Sequence, residues 1–345
     1  MNETTSKILT VIVPSYNMER YLTQCLESIT SIENVADIDL VVVNDGSTDR
    51  SSEIAHGFAA RFSNSVSVID KPNGHYGSCV NVGLAAAKGK YVKIVDADDW
   101  VDSANFQKLV SDLRECDADL VFCQYVDCYE DGRGDCVLRK KVNSNILRMS
   151  VSELVGLKSF RPPFFHACIF YKTYFLRAIG YRQVEKCLYS DLQWTSVPMA
   201  SIASVACFHY PVYMYRKERP GQSLSPAVRK VHIGDEFLVR KEIIANFERS
   251  LFASDENKVL CEKLICRLVA QMYRETLVKK EIPVDVLREF DDDLRNISMR
   301  IYRKMNGEIF SGAFFLPYVW LWRHNCNKIL DTALALRGLF SQSKK

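Results

Sequence analysis

The stretch "GKYVKIVDADDWVDS", residues 89–103, sets four aspartates within seven positions directly behind an apolar run. Tyr91, Val92, Ile94 and Val95 read as a short buried strand, so Asp96, Asp98 and Asp99 stand at its carboxyl end, with Asp102 just beyond. Two carboxylates about 5 Å apart repel by roughly 3 kcal/mol at an effective dielectric near 20. A chain that keeps such a cluster must offset it with something cationic.

The flanking sequence repeats the same alternation. Ile8 to Val13 reads as a strand, and Tyr21, Leu22, Cys25, Leu26 and Ile29 then recur at helical spacing. "LVVVN" at 40–44 precedes a helix carrying Ile54, Phe58 and Phe62; "VSVID" at 66–70 precedes "SCVNVGLAAAKG", whose Gly89 is placed to end the helix. After the aspartates, Phe106, Leu109, Val110 and Leu113 mark a helix that leads to "DLVFC" at 119–123. Strand-helix alternation predicts a mostly parallel α/β sheet. Such a sheet gathers ligands outside the carboxyl ends of its strands, where "PSYN", "NDGSTD" and "DADD" all fall. One such cluster alone reads as turn chemistry, because Asn, Asp, Gly and Ser are the commonest turn formers. Three on one edge read as a site.

Beyond Asp131 the alternation fails. "EDGRGD" reads as an exposed turn opening a mixed region that runs to about Pro226, and from Val228 onward long apolar-periodic stretches predict helices, with Pro283 at the start of one. The chain of 345 residues is 48% hydrophobic and 25% charged, enough to bury a full core and to carry more than one subdomain. A formal net charge of +3 is too small to argue for a nucleic-acid partner. The 12 cysteines form no CxxC pair, and the spacings of Cys123, Cys128 and Cys136, or of Cys261 and Cys266, suit zinc poorly. Cys25, Cys79 and Cys207 lie among apolar neighbours, as reduced core cysteines do, which points to the cytoplasm. The apolar run before Pro14 is too short for a signal peptide or a membrane span.

Clustered carboxylates at a strand end suit a hard divalent cation, Mn²⁺ or Mg²⁺, which takes oxygen ligands and keeps positions open for phosphates. The group held would be a nucleotide diphosphate. No GxxxxGK[ST] loop and no GxGxxG after the first strand is present to cradle phosphates, so a cation must carry more of that charge. "YRKERPGQSLS" at 215–225 offers a glycine-containing basic loop that can fold over an anionic diphosphate; the alternative is a solvated basic turn.

"VIVPSYN", "VNDGSTD", "PNGHYGSCVNVGL", "KGKYVKIVDADDW", "YSDLQW" and "RPGQSLS" occur in one order, and in this the chain resembles family 2 glycosyltransferases over roughly residues 7–225. The resemblance implies a GT-A fold: a Rossmann-like nucleotide-binding half at about 7–125 joined to an acceptor half at about 126–225, followed by a helical region over 226–345. By matching positions, Pro14 and Tyr16 would border the nucleobase, and Asp45 would accept a hydrogen bond from a uracil or thymine imide. Asn73, Gly74 and Asn81 would line the nucleotide pocket, with Val80 standing where many relatives have a basic residue. Asp96 would meet the ribose region, Asp98 would ligate the metal, and Asp99 would shape the loop toward the donor sugar. Arg216 and Arg219 would face the diphosphate. Asp191 would be the catalytic base, although Ser190 replaces the glutamate that usually precedes it; a helix-capping aspartate is the alternative.

These readings together predict an inverting transfer from a nucleotide-sugar donor, of the UDP class, to a hydroxyl of a glycan or lipid-linked acceptor in surface or exopolysaccharide synthesis. A metal-dependent sugar nucleotidyltransferase and a non-catalytic glycan-binding relative are the competing classes. Trp100 and Trp194 read equally as sugar platforms or as core. "IFSGAFFLPYVWLWRHNCNK", 309–328, with Arg303, Lys304, Arg323 and Lys328 around it, reads as peripheral contact with the cytoplasmic face of a membrane or as a helix docked on the core.

Overall fold

The computed structural model describes residues 7–129, 134–137, 146–156, 165–219, 221–223, 225–309, 317–332 and 335. Its centre is a sheet of ten strands: β1 Leu9–Ser15, β2 Ile38–Asn44, β3 Val66–Asp70, β4 Tyr91–Ile94, β5 Trp100–Val101, β6 Leu120–Cys128, β7 Gly134–Val137, β8 Ile146–Ser150, β9 Ile169–Lys172 and β10 Ser204–Arg216. Every residue of β2, "IDLVVVN", is buried, as a strand covered on both faces must be. β1, β2, β3 and β4 run parallel, in the order β3-β2-β1-β4.

The mostly parallel sheet expected from strand-helix alternation is corrected beyond β4. There the order continues β9-β6-β10-β5, with β7 on β6 and β8 on β10. β9 lies antiparallel to both β4 and β6, while β10 runs parallel to β6. The strand after "DADD" therefore does not sit beside β4, because β9, from much later in the chain, takes that place. Of "EDGRGD", residues 130–133 lie outside the described residues, and Gly134 and Asp135 open β7.

Helices α1 Leu22–Thr30, α2 Ser51–Arg61 and α4 Ser103–Glu115 cover one face, and α3 His75–Ala86 the other. The alternation along β1 divides the core accordingly. Val11 and Val13 pack with Leu22, Leu26, Phe106 and Leu109, whereas Ile12 packs with Val80 and Leu84. Each such buried side chain contributes about 1.5–3 kcal/mol. Asp102 belongs to a helix: it caps α4, accepting from Asn105 N at 2.8 Å. α3 stops at Ala86 with Ala87 as its cap, so Gly89 does not end it. A Cβ on Gly89 would stand 2.3 Å from Thr10 N, which makes that glycine the close approach that lets β4 start against β1.

After the short helices α5 Val151–Gly156, α6 Thr173–Ala178 and α7 Asp191–Trp194 come α8 Pro226–Val231, α9 Ile233–Arg249, α10 Asp255–Leu277, α11 Val284–Ile297, α12 Met299–Met305 and α13 Tyr318–Arg323. Pro283 is the N-cap of α11. Among the described residues no helix is long and apolar enough to cross a membrane. Residues 310–316 of the aromatic segment lie outside the described residues. Its carboxyl-terminal part is docked on the core: Tyr318, Val319, Leu321 and Trp322 are buried, and Tyr318 Oη donates to Ala270 O at 3.3 Å. Arg323 is not a cation at an open flank, since it pairs with Asp291 and donates to Tyr273 Oη at 2.8 Å and Tyr302 O at 2.7 Å.

Candidate active site

The carboxyl ends of the first parallel strands meet through the backbone. Asp45 N donates to Ser15 O at 2.8 Å, and Val95 N donates to Ile12 O at 3.0 Å, so the three polar clusters share one edge. Pro14 is half-buried at this edge, and Tyr16 is 47% exposed. Asp45 is buried; its Oδ1 accepts from Gly74 N at 2.9 Å and from Lys71 Nζ, which also donates to Ser78 Oγ at 2.7 Å. No motif points to Lys71; its place directly behind β3, the strand beside β2, is the only signal. Gly74 is the N-cap of α3, and Asn73 before it is exposed. Asn81 uses its amide on protein partners, exchanging bonds with the Gln183 backbone at 2.8 and 2.9 Å and donating to Glu185 Oε1 at 2.8 Å.

The aspartates behind β4 each have distinct partners. Asp96 accepts from Tyr76 Oη at 3.0 Å on Oδ1 and faces His166 Nε2 at 3.0 Å on Oδ2. Asp98 pairs with Arg219, and Arg216 Nε donates to its carbonyl at 2.8 Å. Asp99 accepts from Tyr213 Oη at 2.5 Å and from Arg216 N at 2.7 Å. Arg216 also reaches Gln24 Oε1 at 2.6 Å, its guanidinium 4.9 Å from the Tyr21 ring and 4.7 Å from Trp100. The expected basic loop and the expected acidic cluster thus meet, with Pro220 and Leu224 of that loop outside the described residues. Trp100 lies under Arg216. Trp194 is fully buried, edge-on to Tyr171 and Tyr181, so its reading as a sugar platform gives way to a core role.

Environment pulls the three carboxyls apart. Burial works against the Asp96 charge, but the His166 imidazole, with help from Tyr76 and Lys93, brings its pKa below the ordinary range. Burial and the Asp96 charge raise Asp98, only partly offset by Arg219. Burial and both neighbouring aspartates push Asp99 well above its usual value. Beneath them burial lowers the Lys93 ammonium to about 8.

One oxygen from each of Asp96, Asp98 and Asp99 lies within 4.8 Å of the others. This set fits a hard divalent cation. Both oxygens of Asp96 and of Asp99 already meet protein groups, whereas Asp98 has a guanidinium as its partner, a group that phosphate can also bind. One carboxylate completed by phosphate oxygens and water is the usual protein share for Mg²⁺ and similar ions.

Asp191 is the first residue of α7. Its side chain is one-third exposed, and Oδ2 lies 3.7 Å from His166 Nδ1. Burial raises its pKa, opposed by the charge of His166. The N-cap position belongs to Ser190, which makes no side-chain capping bond. Ser190 is fully buried. His166, Tyr76 and Tyr213 carry no sequence signal that separates them from core residues.

Residues 10–175 match the model of the family described as Glycosyl transferase family 2. "Uncharacterized glycosyltransferase EpsJ" of Bacillus subtilis (strain 168) is 38% identical over 126 residues, which is 36% of this chain and 36% of that protein. The alignments with this and three other curated relatives span only 16% to 42% of those proteins' own length. S. aureus TarS 1-349, solved in complex with UDP, superposes with a TM-score of 0.63 at 17% identity, covering 85% of this chain and 82% of that one. Mannosyltransferase PcManGT from Pyrobaculum calidifontis, solved with GDP-Man and Mn²⁺, superposes with a TM-score of 0.50 at 16% identity, covering 86% and 82%. The mixed sheet with its helical carboxyl-terminal region is therefore a GT-A fold. Since the matched span holds the strand ends that gather Asp45, Asp96, Asp98 and Asp99 on one edge, residues 10–175 are the part of the chain that belongs to glycosyl transferase family 2.

Proposed function

We propose that the protein transfers a sugar, with inversion, from a nucleotide-diphosphate sugar to a hydroxyl of a glycan or lipid-linked acceptor in polysaccharide synthesis, in the cytoplasm. The observation that carries this reading is the convergence on one strand edge of Asp45, the three aspartates behind β4 with Arg216 and Arg219 on them, and Asp191, whose carboxylate reaches Asp96 through His166. A UDP-sugar is the donor class proposed, in keeping with TarS complexes holding UDP and UDP-GlcNAc. Residues 1–225 would form the catalytic part, with 226–345 as its helical buttress.

Pro14, Tyr16, Asp45, Asn73 and Gly74 would seat the nucleobase, and Asp96 would meet the ribose. Asp98 would hold Mn²⁺ or Mg²⁺, which when bound supplies positive charge to the departing diphosphate; PcManGT was solved with Mn²⁺. Arg216 and Arg219 stabilise the same developing charge through directed N–H groups. Asp191 takes the proton of the acceptor hydroxyl as its oxygen attacks the anomeric carbon, the bond to the diphosphate breaks, and one displacement inverts the configuration. The test is a panel of UDP-, GDP- and dTDP-sugars read as thermal shift with Mn²⁺. UDP-sugars should raise the melting temperature most, and a panel without any shift would remove the donor assignment.

A further inference from the structure

His166 is a buried imidazole to which the transfer chemistry assigns no task. It opens a 3₁₀ turn, His166–Cys168, is 5% exposed, and turns its two nitrogens toward two different carboxylates. Nε2 lies 3.0 Å from Asp96 Oδ2, and Nδ1 lies 3.7 Å from Asp191 Oδ2. Among the described residues Nδ1 is buried without a hydrogen-bond partner, a condition that costs stability where it persists. Asp191 is the carboxylate facing it.

The ring is held where it stands. Phe165 packs at 4.5 Å between ring centroids, with Tyr213 at 6.3 Å. From within the sheet Lys93 Nζ donates to the carbonyls of Ala167 at 2.7 Å and His166 at 3.3 Å, with its ammonium over Phe170 and Tyr213. Two carboxylates from distant parts of the chain thus share one fixed ring.

We propose that His166 is a positioning residue of the transfer reaction, shared between the donor-side carboxylate Asp96 and the base Asp191, so that one ring sets both donor seating and base orientation. This rests on the transferase reading. With Nε2–H donated to Asp96, Nδ1 is the atom that meets Asp191. An ionised Asp191 accepts on Oδ2 from the imidazolium Nδ1–H; when Oδ1 takes the acceptor's proton, Oδ2 remains the acceptor and the ring keeps both of its N–H groups. Either way the carboxyl keeps one orientation, set by His166 and not by the residue beside the base, the fully buried Ser190.

Two substitutions separate the two contacts. His166→Gln keeps an amide near the Nε2 position for Asp96 and removes the group facing Asp191; His166→Asn does the reverse. His166→Gln should bind UDP with Mn²⁺ within about twofold of wild type yet release UDP from UDP-glucose, UDP-galactose or UDP-N-acetylglucosamine at least about tenfold more slowly. His166→Asn should lose UDP affinity more than turnover. Combined with Asp191→Asn, the glutamine variant should be no slower than Asp191→Asn alone, since both act through one carboxylate. With no sugar present, Asp191→Asn should move the His166 Nδ1 resonance in ¹⁵N-histidine spectra, assigned among six histidines by its loss in His166→Gln. Wild-type turnover in His166→Gln, a resonance indifferent to Asp191→Asn, or equal loss of affinity and turnover in both variants would overturn the proposal. If wild type releases UDP from none of these sugars while the resonance still responds, the transferase reading fails and takes the positioning role with it, leaving a structural contact.

Discussion

Asp191 holds the first position of a four-residue helix, beside a fully buried serine and in front of a histidine 3.7 Å away. Because Ser190 occupies the cap position, Asp191→Asn tests the base without removing a cap. Turnover should fall about 10² to 10⁴-fold, the usual loss of general-base help, while calorimetric titration with UDP and Mn²⁺ stays near wild type. Activity that survives, with only a lowered melting temperature, would remove Asp191 from the chemistry. Asp98 makes a pH-dependent prediction. Burial and the Asp96 charge hold its carboxyl above the ordinary 3.8, so the folded chain binds that proton more tightly than the unfolded chain. The associated stability is complete below 3.8 and is lost as pH rises through the folded value. Asp98→Asn removes that loss and still offers Arg219 an acceptor. Without metal the variant should therefore melt no lower than wild type near neutral pH, with the difference closing as pH falls toward about 4. With Mn²⁺, its metal-dependent gain in UDP affinity should disappear. A variant whose affinity still responds to Mn²⁺ would place the ion elsewhere.

Helix α3 ties the strand edge to the segment that carries the base. Gly74 O accepts from Lys186 N at 3.0 Å, and Asn81 holds Gln183 and Glu185 further along the helix. Between them Gly77 lies so close that an added Cβ would stand 2.0 Å from Val184 O, a backbone atom that cannot swing aside as a flexible side chain would. Gly77→Ala should destabilise by about 1–3 kcal/mol, the usual cost of overpacking, measured as a shifted urea midpoint. Because residues 184–191 must move with it, UDP release should slow more than UDP affinity weakens. An alanine variant of unchanged midpoint would show that this contact does not hold the base segment.

Across the molecule, the carboxyl-terminal helices complete the core on the α3 face of the sheet, and α13 is the last of them to be described. Its anchor is Arg323, 6% exposed at the side chain, paired with an Asp291 that is only 10% exposed. Removing one partner of a buried pair leaves an uncompensated charge. Arg323→Ala should thus cost about 3–5 kcal/mol, visible in urea unfolding of the full chain. An unshifted midpoint would mean that α13 does not hold the bundle, and would reopen the membrane-interface reading of 309–328.

Strands β1, β2 and β4, their buried faces and the polar residues at their ends were legible in the sequence because each is a local signal: an apolar run, then residues that stop it. Once such strands lie parallel, their carboxyl ends share an edge, so the placing of Asp45 on one edge with Asp96, Asp98 and Asp99 followed from order alone. The six ordered motifs carried the family for the same reason. Partnership is not local. Arg219 meets Asp98 across 121 positions and His166 meets Asp96 across 70, while β9 enters between β4 and β6 from the far side of the regular alternation. Periodicity says which face of an element is buried and is silent on what lies against it. Trp194 has the same chemistry on a sugar as in a core, and only its burial against Tyr171 and Tyr181 decides between them. Tertiary structure likewise turned the flanking cation Arg323 into an internal anchor, because a buried guanidinium is stable only where the fold brings a carboxylate to it.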